Sequence, residues 1–266
     1  MLTCKERSFV SRLAEVYIKL TGDQQVFRST KKMKNYMQER RVMNSKVYEI
    51  PRREKYASAI HSYTFQGMDY HVLDPLKNKN IPLEEDQESI ILYFHGGAYV
   101  NQPVLQHWVF LDEIAQKSAT SIVVPIYPKA PNACCSEAME TLLVFYEQDF
   151  LKRAKGKRIV FMGDSAGGGL AITFYKVVQE RELRLPKLLQ LFSPWVDVTM
   201  TDPQIPGLIK QDPMLSVEGL KIMGSAWAKE RELDDPFVSP IYGDLELPCR
   251  VRIFVGTREI LLPDSR

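Results

Sequence analysis

The pentapeptide Gly163-Asp164-Ser165-Ala166-Gly167 sets a serine hydroxyl between small residues, directly after the apolar run Arg158–Met162 and at the opening of a helix-like stretch, Ser165–Glu182. Strand, sharp turn, helix is the context in which a G-x-S-x-G sequence acts as a nucleophile elbow. So tight a turn strains the serine backbone, and Gly163 and Gly167 remove the Cβ atoms that would collide with the neighbouring strand and helix. The Ser165 hydroxyl then stands clear above a sheet at a helix N-terminus, where the Ala166 amide can face a developing oxyanion. The plainer reading is a Gly-rich helix start over Gly163–Gly169. A second segment, His95-Gly96-Gly97-Ala98-Tyr99, follows the apolar run Ile90–Phe94. Its glycines let the backbone approach a substrate oxygen closely, with the amides of Gly97 and Ala98, or of Gly96 and Gly97, turned toward it. Together the two segments suit acyl transfer through a serine.

These groups need a rigid frame, and the rest of the chain supplies its pattern. Continuous apolar runs of buried-strand type occur at Ile90–Phe94, Ser121–Ile126, Arg158–Met162, Leu188–Phe192 and Val251–Val255, and helical stretches at Leu105–Ser118, Cys134–Arg153 and Ser165–Glu182 separate the first four. Strand and helix in alternation predict an α/β fold, a mostly parallel sheet covered on both faces, with right-handed crossovers. Upstream, Val47–Ile50, Ala59–Phe65 and Met68–Leu73 read as antiparallel strands, the last two joined by a turn at Gln66-Gly67 where glycine supplies φ > 0. Phe9, Val10, Leu13, Val16, Tyr17 and Leu20 form the stripe of an amphipathic helix, and the Lys/Arg-rich stretch 24–55 continues as helical cover. Residues 1–57 are thus expected as a helical cap segment and 58–266 as the catalytic domain. An insertion at about 198–235, with Pro203, Pro206 and Pro213 before a helix-like Val217–Lys229, is expected to form a lid.

The oxyanion segment and the elbow, read with Tyr127-Pro128-Lys129-Ala130-Pro131 and Ser193-Pro194-Trp195-Val196-Asp197, resemble the hormone-sensitive-lipase-like branch of the α/β-hydrolases, the HGGG esterases. The resemblance runs from about Tyr63 to the C-terminus. It implies an α/β-hydrolase fold with a helical cap or lid. It also implies a structural role for His95, which would hold the oxyanion loop by hydrogen bonds, and a structural role for the elbow residues Gly163, Asp164 and Gly167. His61, His71 and His107 read as structural. In the family the triad acid, usually Asp, stands just after the strand matching Val251–Val255; here Gly256-Thr257-Arg258-Glu259-Ile260-Leu261 places Glu259 there. Glutamate can orient an imidazole and stabilise its cation equally well. Asp264 is the alternative acid, and an ion pair of Glu259 with Arg258 or another cation is the structural alternative.

The base is missing from this pattern. A serine needs a neighbouring general base, and all four histidines, at 61, 71, 95 and 107, precede the elbow. The family's order of Ser, acid, His implies a histidine beyond Glu259, so the sequence is expected to be a fragment of a longer esterase. Finding a native stop after codon 266, with no downstream histidine segment, would remove that expectation. Its turnover is expected to be very weak, with His95 or His107 the first suspects for a replacement base should it prove ordinary.

Composition narrows the alternatives. A formal net charge of +2 without a long basic run leaves no electrostatic footprint for a nucleic-acid binder. Cys4, Cys134, Cys135 and Cys249 have neither disulfide-framework nor zinc spacing, which suits a reducing, cytoplasmic compartment and implies no metal and no cofactor. No signal-peptide core and no eighteen-residue apolar run is present, so no transmembrane segment is expected. A nucleotide-binding domain is disfavoured, because Gly163–Gly169 matches neither G-x-x-x-x-G-K nor G-x-G-x-x-G. The sequence therefore reads as a serine carboxylesterase for short- to medium-chain esters, with a small-molecule ester as its partner and a homodimer left open. A catalytically impaired relative, or a small-ligand binder on the same scaffold, is the alternative. Phe9, Leu13, Val16, Met214, Leu215, Met223 and Trp227 serve either an apolar substrate pocket or plain core packing.

Overall fold

The alternation of apolar runs and helical stretches resolves into a single twisted sheet. A computed structural model describes residues 30–51, 56–76 and 88–266 of the chain. Its strands are β1 (Ala59–Phe65), β2 (Met68–Asp74), β3 (Ser89–Phe94), β4 (Ser121–Pro125), β5 (Arg158–Asp164), β6 (Leu188–Phe192) and β7 (Arg250–Phe254). They form one seven-stranded sheet in the order β1-β2-β4-β3-β5-β6-β7. The hairpin β1–β2 pairs antiparallel and β2 runs antiparallel to β4, while β3, β4, β5, β6 and β7 are mutually parallel. Phe65 opposite Met68 makes the hairpin loop two residues long, and both Gln66 (φ 47°) and Gly67 (φ 85°) are left-handed, as the strand twist requires.

The parallel strands are apolar throughout because both of their faces are covered. On β3, Ile90, Leu92 and Phe94 join one hydrophobic cluster and Ile91 and Tyr93 the other; on β5, Ile159 and Phe161 oppose Val160 and Met162. Helix α1 (Thr30–Asn44), α3 (Cys135–Phe145), α4 (Ala166–Glu180) and α6 (Val217–Ala228) pack on the first face, and α2 (Leu105–Ser118) packs on the second through Trp108, Leu111 and Ala115. α5 is the short helix Ile205–Leu208. Phe94, Phe161 and Phe174 meet edge to face at 5.5–5.7 Å between the first pair of rings and between Phe94 and Phe174, directly beneath the ends of β3 and β5.

Three expectations are corrected. Val47–Ile50 is not a strand: Val47 is 80% exposed, Pro51 removes a ladder donor, and the segment is pinned instead by the Tyr48 hydroxyl, which donates to the Pro103 carbonyl at 2.8 Å and accepts from Trp108 Nε1 at 2.6 Å. The helix expected over 134–153 is interrupted by a π-helical turn, Tyr146–Phe150, which keeps both Tyr146 and Phe150 fully buried. The run at the last strand is not buried, since all of β7 is exposed, Phe254 to 52%. It occupies the sheet edge, where β6 is its only strand neighbour among the described residues. Of the stretch 24–55 the described residues are helical over Thr30–Asn44 and not over 45–51, and the stripe from Phe9 to Leu20 lies outside the described residues.

Candidate active site

The turn at Ser165 carries the backbone strain its sequence implies. β5 ends at Asp164, α4 begins at Ala166, and Ser165 between them has φ 51° and ψ −122°. A non-glycine residue holds that conformation only when its surroundings over-determine it. Here the Ser165 amide donates to the Phe192 carbonyl at 2.8 Å, while the Ser165 carbonyl accepts from Gly168 at 2.9 Å and Trp195 at 2.8 Å. The flanking glycines are required by space. A Cβ on Gly163 would run into the Gly167 carbonyl, and one on Gly167 into the Phe94 carbonyl and, at 2.8 Å, the His95 carbon.

The segment 95–99 loops over the elbow from the end of β3. Its Gly96 amide donates to Asp164 Oδ1 at 2.8 Å, which corrects the expectation that this amide is available to a substrate. Neither the Gly97 nor the Ala98 amide has an acceptor among the described residues, so of the two pairs considered Gly97 and Ala98 remain. The Ala166 amide belongs to the first turn of α4, where no intrahelical acceptor exists. Asp164 is the knot of this region. Besides Gly96 it accepts the Tyr93 hydroxyl in a very short bond, and its Oδ2 lies 3.3 Å from His107 Nε2. Burial, and then the Asp164 charge, push the Tyr93 hydroxyl well above its ordinary pKa, so Tyr93 is the donor.

Among the described residues no histidine is hydrogen-bonded to Ser165. His107 Nδ1 accepts from the Val104 amide at 3.0 Å, which places the ring proton on Nε2, facing Asp164; both nitrogens are engaged. His95 is fully buried, donates from Nδ1 to the Gly96 carbonyl at 2.7 Å, and stacks on Tyr127 at 4.4 Å, while the Tyr127 hydroxyl donates to the His95 carbonyl at 2.8 Å. Burial holds its pKa well below the ordinary value, and its Nε2 lies in the interior without a partner among the described residues. His71 pairs with the Ser62 hydroxyl at 2.9 Å and burial lowers its pKa to about 4. His61 lies on edge strand β1 beside Asp74 at 3.9 Å. Of the first suspects for a replacement base, His107 has both nitrogens engaged and His95 is fully buried, and neither is hydrogen-bonded to Ser165 among the described residues.

The two candidate acids differ in setting. Glu259 follows β7 and its Oε1 accepts the Ser193 hydroxyl at 2.7 Å and, in a very short bond, the Gly256 amide. Burial raises its pKa. Ser193 stands two residues before Trp195, the residue that donates to the Ser165 carbonyl, so Glu259 abuts the elbow's own support. Asp212 secures the acid loop by accepting the Ile260 amide at 2.9 Å. Asp264 is partly buried near Asp197 and Asp202, and its Oδ2 has no partner among the described residues.

Burial first, then the two aspartates, push the Asp264 carboxyl from 3.8 up to about 7. A group raised in this way keeps its proton better folded than unfolded. Between pH 4 and pH 7 the unfolded chain sheds a proton that the folded chain retains, so folding stability falls across that window as pH rises. Asp264→Asn is therefore expected to stabilise the protein at pH 8 by about 1 kcal/mol, after allowance for screening at a partly exposed site, and to change nothing at pH 4. Urea unfolding at the two pH values measures this, and equal effects at both would contradict it.

Several residues of the site gave no sequence signal. Tyr93 is one alternate residue in a uniformly apolar strand, and His107 reads as an ordinary helix residue. Lys129 is fully buried, donating to the Tyr127 carbonyl at 2.7 Å, and burial lowers its pKa to about 7. For Tyr93 and Lys129 the only clue was a polar group inside an otherwise apolar or proline-flanked run. Met223 and Trp227, considered for a substrate pocket, belong to the core, with the Trp227 ring stacked on Tyr99 at 4.4 Å; Met214 is 53% exposed. Phe9, Leu13 and Val16 lie outside the described residues.

Comparison with known proteins agrees with this fold. A family model described as an alpha/beta hydrolase fold matches residues 91–266. An esterase from Acinetobacter venetianus is 28% identical over 192 residues, covering 72% of this chain and 63% of that protein. Human hormone-sensitive lipase is 31% identical over 153 residues, covering 55% of this chain and 14% of that protein. The chain spans less than two thirds of the length of these relatives. A solved hormone-sensitive lipase from a metagenome library superposes with a TM-score of 0.76 at 26% identity, over 96% of this chain and 81% of that one. Among the described residues no helix is long and apolar enough to cross a membrane, and no group of His, Cys, Asp and Glu is placed to hold a metal. The chain belongs to the α/β-hydrolase fold family, in its hormone-sensitive-lipase-like branch.

Proposed function

We propose that the chain carries the nucleophile and oxyanion half of a carboxylic ester hydrolase acting on short- to medium-chain esters through an acyl-enzyme. The observation that supports this reading best is the left-handed Ser165 at the tip of β5, beside a loop whose Gly97 and Ala98 amides have no acceptor among the described residues. The Ser165 hydroxyl attacks the ester carbonyl. The oxygen that becomes negative is held by the N–H groups of Gly97, Ala98 and Ala166, the alcohol leaves, and water hydrolyses the acyl-serine. Glu259 is the carboxylate that orients an imidazole in this scheme, and none of the four histidines at 61, 71, 95 and 107 is placed to supply it. The scheme calls for no cofactor.

A groove of about 320 Å³ between α1 and α6, lined by Met33, Lys34, Met37, Gln38, Arg41, Pro131 and Ile222, includes no residue of the elbow or the oxyanion loop. Segment 198–235, which includes α6, is the proposed lid. A catalytically silent, ester-binding chain is the second reading, favoured by the engagement of both His107 nitrogens.

With imidazole added as the base, turnover of p-nitrophenyl butyrate above the buffer rate, removed by Ser165→Ala, is the expected result. Equal rates for the two proteins in that buffer would overturn the enzyme reading. Binding of the ester without turnover would favour the second.

A further inference from the structure

The Gly97 carbonyl is held from three directions on one side of its peptide. It accepts the amides of Val100 at 3.0 Å and Asn101 at 2.8 Å, and also Asn101 Nδ2 at 3.2 Å. A trans peptide is planar, so its N–H points opposite its C=O. Whatever fixes the Gly97 carbonyl therefore aims the Ala98 N–H. Gly97 itself sits at φ 116°, a glycine-favoured conformation, and a Cβ there would meet the Asn101 carbonyl at 2.9 Å. The two backbone donors exist for almost any sequence at these positions, whereas Asn101 Nδ2 is a choice of residue.

An asparagine amide can face either way, and here its orientation is set from outside the loop. The Tyr36 hydroxyl, on α1, donates to Asn101 Oδ1 at 2.6 Å, which leaves Nδ2 for Gly97. A second side chain of α1 reaches the same loop: Asn44 Nδ2 donates to the Val100 carbonyl at 2.9 Å and the Ala130 carbonyl at 3.1 Å. Ala130 in turn donates to the Tyr99 carbonyl at 2.9 Å.

We propose that Tyr36 and Asn101 are positioning residues, a relay by which docked helix α1 aims the Ala98 N–H into the oxyanion site. The relay rests on the ester-hydrolase reading for its catalytic meaning, though not for its geometry. It makes α1 more than a cover. With α1 undocked, the Asn101 amide is free to turn, and its oxygen would face the Gly97 carbonyl and repel it.

Asn101→Asp is the sharpest test, because it keeps the side chain's shape and the acceptor for Tyr36 but offers Gly97 no donor. In the full chain with imidazole added as the base, Ser165-dependent turnover of p-nitrophenyl butyrate is expected to lose about tenfold in kcat, less than the loss of a whole oxyanion donor, with KM within about twofold. Tyr36→Phe should show a smaller kcat loss, and the double variant no more than Asn101→Asp alone, since both cut one relay. Unchanged kcat, additive losses, or an effect confined to KM would overturn the proposal. Should the parent and Ser165→Ala turn over equally, the enzyme reading fails, and a crystal structure of Asn101→Asp still decides the relay. A rotated Gly97–Ala98 peptide upholds it, and an unmoved one overturns it.

Discussion

The 266-residue chain is expected to hydrolyse p-nitrophenyl butyrate about a million-fold more slowly than an ester hydrolase with a complete triad, and to gain of order a hundredfold when imidazole is added to the buffer. The first figure follows from the base. His107 accepts from Val104 and faces Asp164, and His95 is fully buried with its Nδ1 on Gly96, so neither is hydrogen-bonded to Ser165 among the described residues. What remains is the oxyanion site and substrate binding, which alone retain a small fraction of triad catalysis. The second figure follows from the same deficit. Free imidazole is a general base with a pKa near neutrality, and it supplies the missing proton acceptor without any change to the protein. The gain should appear only with Ser165 present and should rise with pH as imidazole loses its proton. A chain that is already as fast as an ordinary esterase in plain buffer would refute the account of the histidines. A gain of equal size in Ser165→Ala would show that imidazole attacks the ester directly.

Asp164→Ala is expected to be the most destabilising single substitution at the site, by about 3–5 kcal/mol. Its carboxylate serves the Gly96 amide, the Tyr93 hydroxyl and His107 Nε2 together. Tyr93 is only 1% exposed, so removing its acceptor leaves a hydroxyl in the interior with nothing to bond. Asp164→Asn should cost less, about 1–2 kcal/mol. The amide still accepts from Gly96 and Tyr93 through its oxygen, but its NH2 would face the His107 Nε2–H. His107 cannot switch tautomer to relieve this, because its Nδ1 already accepts from Val104. Urea titration of the three proteins gives the comparison, and an alanine variant within about 1 kcal/mol of the parent would show that the knot carries little.

Both expectations rest on contacts that no motif announces. The elbow itself was legible from the sequence because its causes are local: a strand, a serine among small residues and a helix leave few backbone solutions, and the Gly163 and Gly167 clashes forbid the alternatives. The hairpin at Gln66-Gly67 was legible for the same reason, as was the alternation that yields five parallel strands. Long-range geometry was not. Val47–Ile50 has the composition of a strand, yet Pro51 and the Tyr48 anchor to Pro103 keep it outside the sheet. The last apolar run reads as buried from its residues, and only the strand order shows that β7 has a single strand neighbour among the described residues.

The sequence by itself determined the fold class, the position of Ser165 at a strand-to-helix turn and the presence of a glycine-rich loop ahead of it, since each depends on residues within a few positions of one another. The tertiary structure alone decided which amides that loop leaves unpaired, which acid stands at the elbow's support, and that no histidine is hydrogen-bonded to Ser165 among the described residues. Those outcomes turn on pairings such as Asp164 with Gly96, Glu259 with Ser193 and Tyr36 with Asn101, whose partners lie 65–68 residues apart. Hydrophobic periodicity says which face of an element is buried, and it carries no information about which distant polar group will meet it there.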